Sequence, residues 1–138
     1  MVWDKWSRPY IEKMVKEVKA EYPDVPLVLY INNSGGLLER MGQTGVDCVG
    51  LDWTLDMSDA RARLQDRVSV QGNVDPIVLF GEKKGIEEAV TQCLQKARGA
   101  KGHVLNLGHG VMVGTPEEGV AHFFEYNRSM TYDKLAEM

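Results

Sequence analysis

Cysteine is scarce in this sequence, and its spacing excludes the usual cysteine-based scaffolds. The chain has two cysteines in 138 residues, Cys48 and Cys93, and no C-x-x-C pair. Small secreted scaffolds need several cysteines, and zinc knuckles need cysteine or histidine pairs at short spacing. We therefore expect no disulfide framework, no metal and no cofactor held by cysteine, and a reducing compartment fits this usage.

The sequence also lacks long apolar or basic runs. Its longest apolar runs fall far below the roughly 18 residues of a membrane span. Lysine and arginine total 16 against 20 aspartates and glutamates, a formal net charge of −4, and no basic run is present to meet a nucleic-acid backbone. The first residues match neither a secretory signal nor a transit segment. We predict no membrane span and no nucleic-acid partner, and any targeting segment would lie upstream.

The composition that remains is that of one globular domain. Apolar residues make up 43% and charged residues 26% of the chain, values typical of a compact core. The length suits one domain, but it is too short for a complete eight-stranded β/α barrel of about 250 residues. No linker or low-complexity run divides the chain. We predict a single domain over 1–138 with a frayed tail at 131–138.

The first predicted element is an amphipathic helix over residues 3–18. The apolar side chains that recur there every four residues are Trp6, Tyr10, Met14 and Val18. A closing helix is predicted after Thr115, which would cap it, with Pro116 in the first turn and Glu118 reaching back to the cap amide.

Strands and helices are predicted to alternate between these two helices. Short apolar runs rich in β-formers predict strands at 27–31, 46–51, 68–72 and 103–107, the first buried on both faces. Helical patterns fall between them at 36–41, 59–64 and 82–98. This order indicates an α/β fold with a parallel sheet, because parallel neighbours need a crossover connection.

Ligands of parallel α/β folds bind at the carboxyl ends of the strands, so the loops that follow the strands carry the functional information. The first loop, NNSGG at 32–36, is interpreted either as an anion site at a helix N-terminus or as a helix cap with a permissive turn. No nucleotide-binding glycine fingerprint is present.

The next two loops carry acidic residues with competing interpretations. Asp52 directly follows a strand and either faces the site or caps the next helix or pairs with Arg61 or Arg63. Trp53 would form an apolar wall or pack in the core. Asp75 precedes a proline and is interpreted as a turn residue.

The fourth loop holds His109 between two glycines, which would give its backbone conformational freedom and let a ligand approach closely. Its imidazole could pair with a carboxylate or shuttle a proton near neutral pH, or it could simply lie in a loop. His103 falls at the start of a strand, the wrong end, and His122 lies within the last helix, so neither is expected in the site.

Taken in order, the loops resemble the uroporphyrinogen decarboxylase family. The motifs that carry the resemblance are LVLYIN at 27–32, GLDW at 50–53, VQGNVDP at 70–76, NLGHG at 106–110 and GTPEE at 114–118. The resemblance implies a (β/α)8 TIM barrel, of which this chain would be the C-terminal half with four strands. It also implies that the chain alone is incomplete.

The resemblance further implies a carboxy-lyase that converts uroporphyrinogen III to coproporphyrinogen III in haem and chlorophyll biosynthesis, without metal or cofactor. His109 matches the family's substrate-contacting histidine. The family's catalytic aspartate, site arginines, tyrosine and serine belong to segments that precede this chain, so Asp52 does not inherit that role. A homodimer, in the cytoplasm or plastid stroma, is the implied setting.

Two other functions remain as alternatives. The chain could be a truncated paralogue that acts as a non-catalytic interaction module through its open sheet edges. It could also resemble a corrinoid-linked methyltransferase, which shares the barrel, although no His-x-Cys pair stands at a strand end.

Overall fold

The computed structural model describes residues 2–137, and it contains one parallel sheet in the order β1-β2-β3-β4. The strands are β1 (Val28–Tyr30), β2 (Cys48–Gly50), β3 (Ser69–Gln71) and β4 (His103–Val104). A bridge between Val74 and Leu107 continues the last pairing. The predicted α/β class and the four predicted parallel strands are confirmed, although each strand is shorter than the run that predicted it.

Helices connect the strands and flank the sheet. Their bounds are α1 (Val2–Trp6), α2 (Arg8–Glu21), α3 (Leu38–Met41), α4 (Met57–Leu64), α5 (Lys83–Ala97), α6 (Glu117–Ser129) and α7 (Tyr132–Glu137), with 3₁₀ helices at Gly35–Leu37 and Pro76–Phe80. Among the described residues, none of these helices combines the length and the apolar character that crossing a bilayer requires.

The core lies between the helices and the two inner strands, whose centres Val49 and Val70 are almost fully buried. The helix side chains that meet them include Leu38, Met41, Ala60, Leu64, Ile86 and Val90. These residues recur at helical spacing on α3, α4 and α5, so each helix buries one apolar face against the sheet. Burial of β2 on both faces matches its uninterrupted apolar sequence.

The predicted N-terminal helix is divided at Ser7 into α1 and α2. Pro9 has no amide hydrogen to donate to the carbonyl of Lys5, which removes one helical hydrogen bond at this point. The packing face also differs from the apparent stripe: Ile11 and Val15 contact the core. The apolar residues that recur every four, here called the outer stripe, are 36–61% exposed: Trp6, Tyr10, Met14 and Val18.

The first strand is not buried on both faces, contrary to the prediction. Val28 and Tyr30 are 50% and 40% exposed, while Leu29 between them packs against the core. Side chains alternate across a strand, so β1 has one covered and one uncovered face. It also lies at the sheet edge, paired only with β2 in the described part of the chain.

The C-terminal predictions need two corrections. Thr115 does not cap α6: its hydroxyl donates to the carbonyl of Met112, and Pro116 occupies the N-cap position. The stretch predicted as a frayed tail contains α7, in which Leu135 is 8% exposed. Burial of the Leu135 side chain favours this ordered helix over a solvated, frayed segment. Residue 138 lies outside the described residues.

Candidate functional site

The site lies where the loops after the four strands converge. Tyr30 ends β1, Trp53 follows β2, and His109 follows β4. A cavity of about 310 Å³ opens here. Its lining comprises Tyr30, Gly50, Leu51, Gln71, Asn106, Leu107, His109, Gly110 and Val111.

His109 is held by contacts with two aromatic rings. The Tyr30 hydroxyl lies 3.0 Å from His109 Nδ1, and the two rings are stacked at a centroid distance of 6.2 Å. The Trp53 ring lies on another side, at 5.5 Å and tilted by 42°. His109 itself remains exposed. Trp53 therefore lies beside His109, although it is not among the residues that line the cavity.

The contact between Tyr30 and the His109 loop also reports the shape of the sheet. In a flat sheet β1 and β4 would stand about 14 Å apart. The Tyr30 hydroxyl nevertheless donates to the Gly108 carbonyl at 3.0 Å. The sheet is therefore curved, as strands of a barrel are.

The Tyr30 hydroxyl stays protonated over a wide pH range. Partial burial raises its pKa above the usual value, and the negative charge of Asp52 raises the pKa further. A protonated hydroxyl can donate one hydrogen bond, which makes it a stable partner for a backbone carbonyl.

Asp52 is fully buried and joins two of the loops, a role that none of the earlier interpretations gave it. Its carboxylate accepts from the Ser34 amide at 3.1 Å, from the Thr54 amide at 2.8 Å and from the Thr54 hydroxyl. The next helix is capped by Asp56, and Arg61 and Arg63 pair elsewhere. Asp52 thus fixes the loops and does not line the cavity.

The glycine-rich first loop forms the 3₁₀ helix Gly35–Leu37, with Ser34 at its N-cap position but without a side-chain capping bond. The Ser34 amide is already used by Asp52, which leaves it closed to an anion. The predicted turn at Asp75 is confirmed, since its carboxylate accepts from the Ile77 amide at 2.9 Å.

The remaining histidines and cysteines lie outside the site, as expected. His103 Nε2 donates to the Gly72 carbonyl at 2.7 Å, and burial lowers the pKa of His103. His122 pairs with Glu87 at 2.8 Å on the helices. Both cysteines are free and buried, and burial raises their pKa values.

The described residues form no group of three or more histidines, cysteines or acids that could hold a metal. The side chains around the cavity offer one titratable imidazole, one phenol and two amides. This set suits hydrogen bonding and stacking of an organic ligand.

Tyr30 is the site residue that the sequence did not reveal as functional. A signal existed, because Val28 and Tyr30 alternate with Leu29 and therefore share one face of the strand. The predicted burial of both faces concealed that Tyr30 points away from the core. His109, which Tyr30 contacts in the site, is also 79 positions away in the sequence.

The family model described as uroporphyrinogen decarboxylase (URO-D) matches residues 2–130. The chain belongs to the uroporphyrinogen decarboxylase family. The resemblance of the loop motifs is thereby confirmed, and so is the expected partial (β/α)8 barrel with four parallel strands. The curvature of the sheet agrees with this fold.

Curated relatives and a solved structure agree with the family. The chain is 58% identical over 134 residues to uroporphyrinogen decarboxylase 1, chloroplastic, of Oryza sativa subsp. japonica, covering 97% of this chain and 33% of the relative. It is 51% identical over 130 residues to uroporphyrinogen decarboxylase of Microcystis aeruginosa, covering 94% and 37%. The chain thus spans about a third of the length of these uroporphyrinogen decarboxylases.

A methyltransferase from Methanosarcina mazei has a similar structure, with a TM-score of 0.75 at 18% identity, covering 92% of this chain and 36% of that one. At this identity the similarity shows the fold alone. It does not support methyl transfer as an activity of this chain.

Proposed function

We propose that these residues form part of an enzyme that converts uroporphyrinogen III to coproporphyrinogen III, and that His109 contacts the substrate. The observation that carries the proposal is the family match over residues 2–130, combined with the position of His109. The histidine lies at the carboxyl ends of the strands, exposed to the cavity and fixed by two aromatic side chains.

In the proposed reaction, each of four acetate side chains loses its carboxylate as carbon dioxide. The bond between the methylene and carboxylate carbons breaks, and its electron pair passes into a protonated pyrrole ring of the substrate. A proton then adds to the methylene carbon, and loss of the ring proton restores the pyrrole and leaves a methyl group. The protein orients the substrate and complements its charge, so no cofactor is required in this proposal.

The charge of the site supports the proposal that the rest of the enzyme provides the groups that bind the carboxylates of the substrate. Uroporphyrinogen carries eight carboxylates, which arginine side chains bind well. No arginine or lysine lines the described cavity, and the chain has a net charge of −4. We propose that the arginines come from the remaining two thirds of the family's length and that this chain alone has little activity.

The test is anaerobic incubation of the purified chain with uroporphyrinogen, with the products separated by chromatography after oxidation. The chain is assayed alone and mixed with the separately expressed N-terminal part of the rice relative. We expect coproporphyrin only from the mixture. A matched mixture containing His109→Ala should be strongly impaired, while Tyr126→Phe, on the helices away from the cavity, should keep its activity. Full activity of His109→Ala would overturn the assigned contact.

We also propose the remaining features of the setting: a single domain over 1–138, a homodimer of the complete enzyme, and a location in the plastid stroma or cytoplasm. The chloroplastic names of several plant relatives support the plastid. Sedimentation of the complemented enzyme tests the dimer, and fluorescent fusions of the complete protein test the location.

A second candidate function is a non-catalytic interaction module. The exposed outer stripe of α1 and α2 and the uncovered face of β1 favour it, because such apolar surface is normally covered by another polypeptide. The module is expected to co-purify with a full-length uroporphyrinogen decarboxylase. A stable monomer that ignores the full-length enzyme would exclude this function.

A further inference from the structure

The hydroxyl of Tyr30 stands between two potential partners at equal distance. Its oxygen lies 3.0 Å from the Gly108 carbonyl oxygen and 3.0 Å from His109 Nδ1. A tyrosine hydroxyl has one proton to donate, and a carbonyl oxygen has none. The proton is therefore committed to Gly108, and the contact with Nδ1 is favourable only if Nδ1 carries a hydrogen and donates it to the tyrosine oxygen.

We infer that Tyr30 is a positioning residue that fixes His109 in the tautomer protonated at Nδ1 and directs the other ring nitrogen, Nε2, to the substrate. The assignment of the tautomer rests on the two hydrogen bonds alone. The part that concerns substrate rests on the proposed function. No described residue forms a hydrogen bond with Nε2, so this atom is free to meet a ligand.

This arrangement determines which atom changes its proton. The hydrogen bond from Nδ1 to Tyr30 is the same in the neutral and the protonated ring, since Nδ1 carries a hydrogen in both. Proton gain and loss are therefore confined to Nε2. A neutral ring accepts a hydrogen bond from an N–H group at this atom, and a protonated ring donates one to a carboxylate. A tetrapyrrole with acidic side chains offers both groups.

The orientation of the ring is fixed from two further directions. The stacking of Tyr30 and the tilted contact with Trp53 limit rotation of the imidazole. The Tyr30→Phe variant keeps the stacking ring and removes only the hydroxyl. It therefore separates tautomer control from packing.

The tautomer is measured by ¹H–¹⁵N correlation of the histidine ring nitrogens in the 138-residue chain, alone and in the complemented enzyme. His103 is the internal reference for the folded sheet, because its Nε2 donates to Gly72 independently of Tyr30. With that reference present, we expect His109 to be protonated at Nδ1. Tyr30→Phe should shift it towards the Nε2–H form that a histidine side chain prefers in water. A wild-type His109 protonated at Nε2, or a tautomer unchanged in Tyr30→Phe, would overturn the inference.

The chain provides a matched control in the Tyr126 and His122 pair. Their rings are stacked at 6.3 Å and 29°, close to the geometry of Tyr30 and His109. The Tyr126 hydroxyl, however, bonds Thr91 and not the histidine. Tyr126→Phe should therefore leave the tautomer of His122 unchanged. A shift there would show that removing a hydroxyl from a stacked ring changes the tautomer without any hydrogen bond to the histidine, and it would overturn the inference.

Kinetics of the complemented enzyme test the functional part. Tyr30→Phe should lower kcat/KM by about 3- to 10-fold, the size expected for one hydrogen bond. In a His109→Ala background the same change should have no further effect, because Tyr30 acts through His109. Equal losses in both backgrounds would overturn the positioning role. Absence of activity in the wild type would instead contradict the proposed function, while the ring-nitrogen spectra would still decide the tautomer.

Discussion

Gly108 packs directly against the backbone of Trp53. A Cβ atom at position 108 would lie 2.3 Å from the Trp53 amide nitrogen. The glycine is therefore required by the close approach of two loops and not by its own torsion angles, because its φ is not positive. Gly110, on the other side of His109, has open space around it and no positive φ. The freedom expected from the two flanking glycines is thus replaced by packing at one of them.

Gly108→Ala should separate the His109 loop from Trp53. Overpacking of this kind costs about 1–3 kcal/mol of stability, and we expect that loss in urea unfolding together with a loss of substrate binding. Gly110→Ala is the matched control and should stay within about 0.5 kcal/mol of the wild type. Equal effects of the two substitutions would show that the loops do not meet as described.

Two helical glycines should respond to alanine with opposite signs. A Cβ at Gly119 would lie 2.2 Å from the Leu79 carbonyl oxygen, whereas nothing lies within 4 Å of one at Gly85. Gly85→Ala should stabilise the chain by about 0.5–1 kcal/mol through helix propensity. Gly119→Ala should destabilise it by about 1–3 kcal/mol. Denaturant midpoints measure both, and a stabilising Gly119→Ala would contradict the tight packing of α6.

The Glu39 and Arg63 pair should contribute to stability in a defined pH range. The Arg63 guanidinium bonds both carboxylate oxygens, at 2.7 and 2.9 Å, and holds the pKa of Glu39 at about 2, below the usual 4.5. A lowered folded-state pKa stabilises above pH 4.5, and that stability is lost as pH falls towards 2. Because Glu39 is nearly half exposed, we expect about 1 kcal/mol or less.

Unfolding midpoints of the wild type and Glu39→Gln should therefore converge as the pH is lowered from 5 to 2. Glu17→Gln is the control, because Glu17 is largely exposed and 3.8 Å from Lys13. Parallel curves for the wild type and Glu39→Gln would disprove the contribution of the pair.

His103 should make the chain sensitive to mild acid. Burial lowers the pKa of His103 below its usual 6.5, so protonation is easier in the unfolded chain. The contribution of His103 to the free energy of unfolding is therefore complete above pH 6.5 and decreases as the pH falls below that value. His103→Gln keeps a donor for Gly72 and removes the titration. We expect it to flatten the dependence of the unfolding midpoint on pH below 6.5, and an unchanged slope would refute the assignment.

Asp52→Asn should be markedly destabilising. The buried carboxylate accepts three hydrogen bonds from Ser34 and Thr54. An asparagine would turn an amide group towards at least one of these donors, at a cost of about 2–4 kcal/mol. Asp75→Asn is the matched control, because its single bond to Ile77 needs one acceptor oxygen. Similar stability of the two variants in thermal unfolding would count against the role of Asp52.

The sheet was predictable because its signal is local. The runs that contain Val49 and Val70 are short and rich in valine, and helical patterns precede and follow them in the sequence. Helix α5 differs from the predicted 82–98 by one residue at each end. Packing direction is less local. Ile11 and Val15 are four residues apart, and so are the members of the outer stripe, so both sets have helical spacing. Only the position of the sheet determines which of the two sides is covered.

The candidate site was predictable in part for the same reason. His109 and Trp53 lie in the loops at the carboxyl ends of strands, which is where parallel α/β folds bind their ligands. The hydrogen bonds of Asp52 and the position of Tyr30 depend on which loops meet. Residues from different parts of the chain meet there, and no periodicity within either segment contains that information.

The hydroxyl of Tyr30, at the end of β1, bonds Gly108 in the loop after β4, and these two residues are 78 positions apart in the chain. Closing so long a segment has a high entropic cost, which is offset only once the intervening units have packed. We therefore expect the site to assemble late in folding. The ordered state of His109 reports the completion of all four strand–helix units, so a defect anywhere between the first and the last strand should appear at this one ring.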